Sequence, residues 1–407
     1  MVGAGLAGLA AADELNRAGV DVEVFEARDR VGGRVWSVPF AGATAERGAE
    51  FILPHDQELI ATVQRLGLTL VRKGTLYGNR EPRGGANVTR EQVVGGLDRI
   101  RALPAADQET VYGALARARV DRGVADAIAA RVEVSCAYSG EDLDASVLRE
   151  GAGAFGDFDT HTVAGGNDRV ARALVEGLGQ VTVRLSAPVS AVSWDAGEVR
   201  VRAGDHETSA DAAVVAVPPT AVGTIQFDPP LPQPKAAALG AVRMGQAAKL
   251  FVALRAPAEP SAVLSVPERY WCYTQLGADG EPLPFVAAFA GSPGAVAALE
   301  AARGPDRWVE SLSALRPDLE LDLDTVLVST WADDPWVRAA YSARSASASI
   351  EDPELSRPMG PLAFAGEHTA GRWHGLMEGA LRSGRRAASE LLDVYGRGRR
   401  PGPRSRT

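Results

Sequence analysis

Three glycines and one acid near the start of the chain have the types and spacing that bind a phosphate-containing ligand. Gly3, Gly5 and Gly8 form a G-x-G-x-x-G run, and Glu26 follows 23 positions after Gly3. The first glycine permits a tight turn, the second admits a pyrophosphate close to the backbone, and the third lets a helix pack closely on a strand. An acid at the end of the second strand of such a unit accepts hydrogen bonds from ribose hydroxyls. This spacing favours a dinucleotide site over a glycine-rich turn before a core helix.

One lysine lies where a charge is costly to bury. Lys249 is one of only three lysines, with Lys73 and Lys235, and it stands inside an apolar stretch, Ala247–Leu254, that reads as a strand. A charged side chain among apolar strand residues needs a partner or a function. The residues alone leave two interpretations of Lys249 open: a functional lysine, or an edge-strand lysine that reaches solvent.

The elements that position the glycines read as a βαβ unit. Residues 9–16 predict a helix and residues 20–25 a strand that Glu26 closes. Only Met1 and Val2 precede Gly3, whereas a parallel strand typically has about five or six residues. We therefore expect the native chain to begin upstream of Met1.

Length and composition exclude several classes of protein. The 407 residues suggest two or three domains, or one large domain with insertions. A content of 46% hydrophobic and 23% charged residues is typical of a globular protein. The net charge of −9 argues against nucleic acid as the main partner. No apolar run is long enough to span a bilayer and no targeting segment is recognisable, so we expect a cytoplasmic protein without a membrane partner.

The cysteines, the histidines and the C-terminus add little chemistry. Cys136 and Cys272 predict no disulfide framework, and the five histidines show no metal-ligand spacing, so we expect no metal site. Residues 396–407 hold five arginines and no acid among glycines and prolines, which predicts a disordered basic tail.

Motifs further along the chain make the assignment specific. Arg30-Val-Gly-Gly-Arg34, together with the glycine run and Glu26, resembles the start of the flavin-containing amine oxidase family, which includes monoamine, polyamine and L-amino-acid oxidases. Residues 48–51 (GAEF), 164–170 (AGGNDRV) and 364–380 resemble later family segments in the same order. Each block alone could be ordinary packing, but the whole series is hard to explain without a flavin.

The resemblance implies the fold. It predicts an α/β protein in which a Rossmann-like FAD-binding domain is assembled from three segments, with an α+β substrate domain inserted. The FAD segments are residues 1–75, 163–232 and 358–395, and the substrate domain comprises residues 76–162 and 233–357.

The resemblance also implies FAD as the cofactor. Ala340 stands where some monoamine oxidases carry a flavin-linking cysteine, so the FAD is expected to be non-covalent. The positions that match cofactor-binding residues of the family are Gly3, Gly5, Leu6, Ala7, Gly8, Glu26, Ala27, Arg28, Gly32, Gly33, Arg34, Gly48, Ala49, Glu50, Phe51, Val189, Trp331, Gly366, Glu367, Gly375, Leu376, Met377 and Ala380.

Three residues carry the implied chemistry. Lys249 matches the family lysine that holds a water near flavin N5, and Trp331 and Tyr341 lie in a segment that faces the flavin. Tyr341 matches one ring of an aromatic cage for the amine, while Leu376 occupies the position of the second ring, which Trp373 is a candidate to supply. A core-packing role for Tyr341 is equally compatible with the sequence.

The implied reaction passes a hydride from an amine carbon to flavin N5, with O2 as acceptor and an imine or aldehyde, ammonia and H2O2 as products. L-amino-acid oxidases usually carry a carboxylate-binding arginine after the segment that matches Gly48. This chain has Glu50 and no arginine in that stretch, and an acid there favours amines without a carboxylate. An L-amino-acid oxidase and a polyamine or putrescine oxidase stay open as alternatives. So do a flavin desaturase or porphyrinogen-type oxidase, a relative that has lost its flavin, and a homodimer.

Overall fold

The computed structural model describes residues 1–149, 158–179, 181–195 and 197–396, so most of the predicted basic tail lies outside the described residues. The helices are α1 Leu6–Arg17, α2 Gln57–Arg65, α3 Arg90–Ala102, α4 Val111–Arg117, α5 Arg122–Cys136, α6 Asp168–Gly177, α7 Pro219–Val222, α8 Gln233–Ala241, α9 Pro293–Ala298, α10 Asp306–Leu315 and α11 Met377–Leu391. Short 3-10 turns cover Ala145–Leu148, Pro353–Leu355, Glu367–Thr369 and Gly371–Trp373, and a π turn covers Leu392–Gly396.

Twenty strands are assigned within the described ranges. They are β1 Glu23–Phe25, β2 Ser37–Phe40, β3 Ala43–Glu46, β4 Leu70–Leu76, β5 Glu81–Arg83, β6 Asp159–Val163, β7 Thr182–Arg184, β8 Val189–Trp194, β9 Val199–Ala203, β10 His206–Ala210, β11 Ala213–Val215, β12 Gln226–Asp228, β13 Arg243–Met244, β14 Ala247–Leu254, β15 Ser261–Ser265, β16 Tyr270–Thr274, β17 Phe285–Gly291, β18 Leu321–Thr330, β19 Ser342–Ala343 and β20 Leu362–Phe364.

The predicted α/β class is confirmed. The predicted strand around Lys249 coincides with β14. Apolar residues spaced three and four apart predict a further helix over residues 108–119. The corresponding helix α4 begins only at Val111, because Thr110 caps it: the Thr110 side chain accepts a hydrogen bond from the Gly113 N–H. Local capping thus sets a boundary that hydrophobic periodicity alone places too early.

The chain divides into two compact units. The first unit comprises Met1–Val35, Asp168–Gly240 and the described residues from Glu351 onward; the second comprises Trp36–Asn167 and Ala241–Ile350. Residues 36–75, which the sequence prediction grouped with the FAD-binding segments, therefore lie in the second unit. The assignment of FAD binding to one domain and substrate binding to the other stays a prediction.

The first unit is built on a parallel sheet. β1 pairs with β7 and β11 pairs with β20, and Val2 lies between β1 and β11, with parallel bridges to Phe25 and Val215. Helices α1 and α11 pack so closely that a Cβ at Gly384 would collide with the Ala7 carbonyl oxygen. β10, β9, β8 and β12 form a separate sheet. The sheet and the two helices together fix the loop that begins at Gly3.

The second unit is built on a six-stranded sheet in the order β18-β14-β17-β16-β15-β5, antiparallel except between β15 and β5. Alternation along a strand sends successive side chains to opposite faces. Phe251, Trp271 and Tyr273 belong to the core that packs against α3, α4 and α5, whereas Leu250 and Cys272 belong to the core that includes Trp308 of α10. No helix in the described part of the chain is both long and apolar enough to cross a membrane.

Candidate active site

The glycine run of the first unit leaves room where a phosphate group would lie. Gly3 has φ +101°, a value that favours glycine, and a Cβ at Gly8 would collide with the Gly3 carbonyl oxygen. Gly5 directly precedes α1, and a Cβ there would meet nothing within 4 Å. The first and third glycines thus close the turn, and the second leaves the N-terminus of α1 open to an anion.

Glu26 is fixed at the end of β1. Its Oε2 accepts from the Ala4 N–H at 2.8 Å and its Oε1 accepts from the Arg28 N–H at 2.9 Å, with the Arg28 guanidinium at 3.7 Å. An ionised carboxylate has about four acceptor sites. Capacity therefore remains for ribose hydroxyls, as FAD binding requires.

The second glycine pair approaches the first. A Cβ at Gly32 would lie 2.7 Å from the Val35 carbonyl oxygen, and a Cβ at Gly33 would lie 3.3 Å from the Gly5 Cα. Both glycines have positive φ, +97° and +59°, so side chains are disfavoured there by conformation and by space. The two motifs predicted from the sequence therefore form one continuous backbone surface.

Glu367 connects two of the predicted segments. Its Oε1 accepts from Arg34 at 2.8 Å and its Oε2 accepts from the Gly375 N–H at 2.6 Å, just before α11 begins. Glu367 is buried, and the ion pair with Arg34 is charge-assisted. This pair brings the start of the chain together with the last predicted cofactor segment.

The remaining positions predicted in the first unit occupy loop ends and first turns. Leu6 and Ala7 begin α1, Ala27 follows Glu26, Val189 begins β8, Gly366 follows β20 with φ +138°, Leu376 precedes α11, and Met377 and Ala380 lie in the first turn of α11. The glycine contacts, the spare acceptor capacity of Glu26 and the open N-terminus of α1 fit an FAD molecule.

A buried ion cluster forms the second part of the site, within the second unit. The Nζ of Lys249 donates to Glu50 Oε2 at 2.6 Å and to the Glu46 carbonyl oxygen at 2.8 Å. The Nζ of Lys73 lies 3.0 Å from Glu50 Oε1, and the Tyr273 hydroxyl donates to Glu50 Oε2 at 2.6 Å. All four side chains are buried. We call Glu50, Lys73, Lys249 and Tyr273 the Glu50 cluster.

The Glu50 cluster corrects one sequence expectation. Burial would raise the pKa of Glu50, but the charges of Lys249 and Lys73 outweigh it and hold that pKa at about 2. Burial and the Glu50 charge together raise the pKa of Tyr273 well above its usual range. One carboxylate is therefore shared by two ammonium groups, and Glu50 does not supply the free negative charge on which the preference for carboxylate-free amines depended.

The elements of the second unit explain how the cluster forms. Lys249 on β14 and Tyr273 on β16 are separated in the sheet only by β17, and Lys73 lies on β4. Asn167 fixes residues 48–51, since its Nδ2 donates to the carbonyl oxygens of Ala49 at 3.1 Å and Glu50 at 2.8 Å. Lys73 and Tyr273 were not predicted from the sequence as site residues, although the scarcity of lysine was a signal for Lys73.

The predicted aromatic residues are also held within this unit. The Tyr341 hydroxyl donates to the Ser135 carbonyl oxygen at 2.8 Å, and the Trp331 Nε1 donates to the Arg47 carbonyl oxygen at 3.0 Å. The Phe51 ring centroid is 5.5 Å from that of Tyr273, so it packs against the Glu50 cluster. Gly48 begins the short segment that carries Phe51. The cofactor contacts expected of Gly48, Ala49, Glu50, Phe51 and Trp331 stay predictions.

A family model described as flavin containing amine oxidoreductase matches residues 6–90 and 142–392. The chain belongs to this family. The resemblance predicted from the sequence is thereby confirmed, and so is FAD as the cofactor.

Individual relatives agree with the family match. The chain is 28% identical to putrescine oxidase of Kocuria rosea, over 96% of this chain and 94% of that protein. It is 24% identical to the flavin-containing amine oxidase A of Sus scrofa, over 98% of this chain and 85% of that protein. Two solved structures have the same fold. One is a putrescine oxidase bound to putrescine (TM-score 0.80, 24% identity), and the other is cyclohexylamine oxidase from Brevibacterium oxydans (TM-score 0.81, 21% identity). Each alignment covers 96% of this chain and 98% of the solved chain.

Proposed function

We propose that the protein oxidises a primary or secondary amine and passes the electrons to O2. When bound, FAD supplies the two-electron acceptor. A primary amine R–CH2–NH2 and O2 give R–CH=NH and H2O2, and water then hydrolyses the imine to an aldehyde and ammonia. Membership of the amine oxidoreductase family supports the class of reaction.

The observation that carries the proposal is the buried Lys249, whose Nζ is held 2.6 Å from Glu50. Two hydrogen bonds fix the ammonium group in place, and Glu50 offsets part of its desolvation cost. We propose that Lys249 holds and polarises a water in the reaction, as the family resemblance implies, and that Tyr341 orients the amine. A fixed donor acts without reorganisation at the moment of reaction.

The test is a peroxide assay on the flavin-loaded protein with tyramine, putrescine, spermidine, benzylamine and several L-amino acids. Turnover of at least one amine supports the proposal, and turnover of L-amino acids alone would replace it by the L-amino-acid oxidase alternative. An FAD-loaded protein that oxidises none of these compounds would contradict it.

Lys249→Met tests the role of the lysine. Removal of one fixed donor from such a site typically costs about 100- to 1,000-fold in kcat, and we expect a loss of that order. Lys73→Met is the matched control because it takes a second ammonium group from the same Glu50 carboxylate; we expect a loss below about tenfold. Equal losses in both variants would show that Lys249 acts only through the charge of the cluster.

Acid denaturation is expected to release free FAD, because no thiol stands at Ala340. A flavin that stays with the precipitated protein would contradict non-covalent binding. The cytoplasmic location and the homodimer stay predictions of the sequence.

A further inference from the structure

Arg80 in the second unit is a buried cation without a counter-ion among the described residues. Its side chain is only 8% exposed. Its Nη1 donates to the Ser135 Oγ at 3.0 Å, its Nε has no hydrogen-bond partner, and no carboxylate of the described residues forms an ion pair with it. Buried charges are normally paired or hydrogen-bonded, because removing them from water is costly. Arg80 therefore differs from Lys249 and Lys73, which share a carboxylate.

Aromatic rings hold the Arg80 guanidinium in place. It lies 3.8 Å from the centroid of the Trp271 ring and 4.7 Å from that of Tyr77. Stacking on rings offsets part of the desolvation cost and orients the planar donor fork. The rings supply no negative charge, so the positive charge of the guanidinium is not neutralised and can attract a carboxylate.

A second buried arginine adds positive charge at the same place. Arg131 is 1% exposed, and its Nη2 donates to the Tyr77 carbonyl oxygen at 2.9 Å. Burial, and after it the charge of Arg80, lower the pKa of Arg131 to about 9. Both arginines line a cavity of about 610 Å³. An anionic group in this cavity would relieve the repulsion between the two cations.

The position of Arg80 connects it with the residues proposed to act on the amine. Ser135 forms hydrogen bonds with both Arg80 and Tyr341. Its Oγ accepts a hydrogen bond from Arg80, and its carbonyl oxygen accepts one from the Tyr341 hydroxyl. On the other side, the Trp271 ring lies 4.2 Å from the Tyr273 ring, and Tyr273 donates to Glu50. The rings of Trp271 and Tyr273, tilted by 33° to each other, therefore lie between the Arg80 guanidinium and the Glu50 carboxylate.

We propose that Arg80 binds a carboxylate at the far end of the amine substrate, so that the preferred substrate is an ω-amino carboxylate. This inference rests on the proposed amine oxidase function. Because the Trp271 and Tyr273 rings lie between Arg80 and Glu50, Arg80 suits a distal carboxylate. It does not suit the carboxylate of an L-amino acid, which is attached directly to the reacting carbon. A diamine is disfavoured for a different reason, since its distal ammonium group would lie beside a guanidinium.

The experiment compares amines of equal chain length that differ only at the distal end. The first series is 5-aminovalerate, pentylamine and cadaverine, and the second is 4-aminobutyrate, butylamine and putrescine. L-Norvaline places the carboxylate beside the amine. Flavin-loaded protein is assayed for kcat/KM by peroxide release, and bleaching of the flavin under anaerobic conditions reports the reductive step by itself.

For the natural protein we expect kcat/KM for an ω-amino carboxylate to exceed that of the matched alkylamine by about 10- to 100-fold, the worth of a hydrogen-bonded charge pair. The matched diamine is expected to be the poorest substrate of each series. Arg80→Gln is expected to abolish the preference, so that the ratio of kcat/KM for the ω-amino carboxylate to kcat/KM for the matched alkylamine falls to about one, with an intermediate ratio in Arg80→Lys.

The matched control is Arg72→Gln, which removes an exposed arginine that pairs with Asp159 at 2.6 Å. We expect this variant to keep the full preference for the carboxylate. Thermal melting and the flavin spectrum establish that each variant is folded and loaded, and Arg80→Lys carries the test if Arg80→Gln does not fold.

Oxidation of alkylamines without a preference for the carboxylate would overturn the role of Arg80 and leave the proposed function intact. A preference that survives in Arg80→Gln, or a preference for L-norvaline over 5-aminovalerate, would also overturn it. If none of these amines reduces the bound flavin, the proposed function itself fails.

Discussion

The two units hold their buried acids in different ways. In the first unit, Glu26 and Glu367 are bound by backbone N–H groups and by arginines, and Glu26 keeps acceptor capacity for a ligand. In the second unit, Glu50 is shared by two lysines and a tyrosine. The first arrangement is made by the close approach of backbone segments, whereas the second is made by side chains that remote strands bring together. Substitutions that add a side chain should therefore damage the first unit, and substitutions that remove a charge should damage the second.

Glu50→Gln gives the largest expected effect. The change preserves size but leaves two buried ammonium groups without their carboxylate, which costs about 3–5 kcal/mol of unfolding free energy. Urea denaturation of the second unit, followed by the fluorescence of its tryptophans, measures the loss. The control is Glu310→Gln, which breaks an exposed pair with Arg307 in the same unit and should cost below about 1 kcal/mol. Similar losses in the two variants would mean that the cluster is not a special source of stability.

The acid dependence of the Glu50 cluster follows from the lowered pKa. Because the folded-state pKa of Glu50 is about 2 and that of an unfolded glutamate is about 4.5, its stabilisation is complete above pH 4.5 and is lost as the pH falls towards 2. We expect the stability gap between the natural protein and Glu50→Gln to shrink by about 3 kcal/mol across this window. The gap is measured by urea denaturation at a series of pH values. A gap that stays constant down to pH 2 would contradict the assigned charge state.

Gly8→Ala and Gly5→Ala separate folding from cofactor binding in the first unit. A Cβ at Gly8 would collide with the Gly3 carbonyl oxygen, so we expect a loss of about 1–3 kcal/mol together with the loss of FAD. A Cβ at Gly5 meets no atom within 4 Å, so the melting temperature of Gly5→Ala should be close to that of the natural protein. We expect this variant to bind FAD only weakly, because its methyl group occupies the space left for the pyrophosphate. Melting temperature and flavin content after gel filtration check both. Equal FAD content in Gly5→Ala and the natural protein would refute the role assigned to Gly5.

The sequence predicted the first unit better than the second for a physical reason. Close backbone approach demands glycine, and Gly3, Gly8 and Gly32 stand at positions where a side chain would clash or the conformation favours glycine. Such requirements are local, so they appear in the sequence as glycines at fixed spacing. The predicted strand around Lys249 was also correct, because a run of apolar residues marks a buried strand.

The charge state of the Glu50 cluster could not be predicted in this way. Tyr273 donates to Glu50 from 223 residues further along the chain, and Lys73 approaches from the separate strand β4. Neither contact leaves a motif in the sequence, so Glu50 read as a free acid. Arg80 was missed for the same reason: its surroundings consist of Ser135, Trp271 and Tyr77, which only the tertiary fold brings together.

The most direct test of amine oxidation is anaerobic mixing of the flavin-loaded protein with an amine in a stopped-flow spectrophotometer. We expect the absorbance of the oxidised flavin to disappear at a rate that rises with amine concentration and saturates, and we expect the later admission of O2 to restore it with release of H2O2. A protein that binds FAD in its first unit yet keeps the flavin oxidised with alkylamines, diamines and ω-amino carboxylates alike would contradict the proposed amine oxidase function.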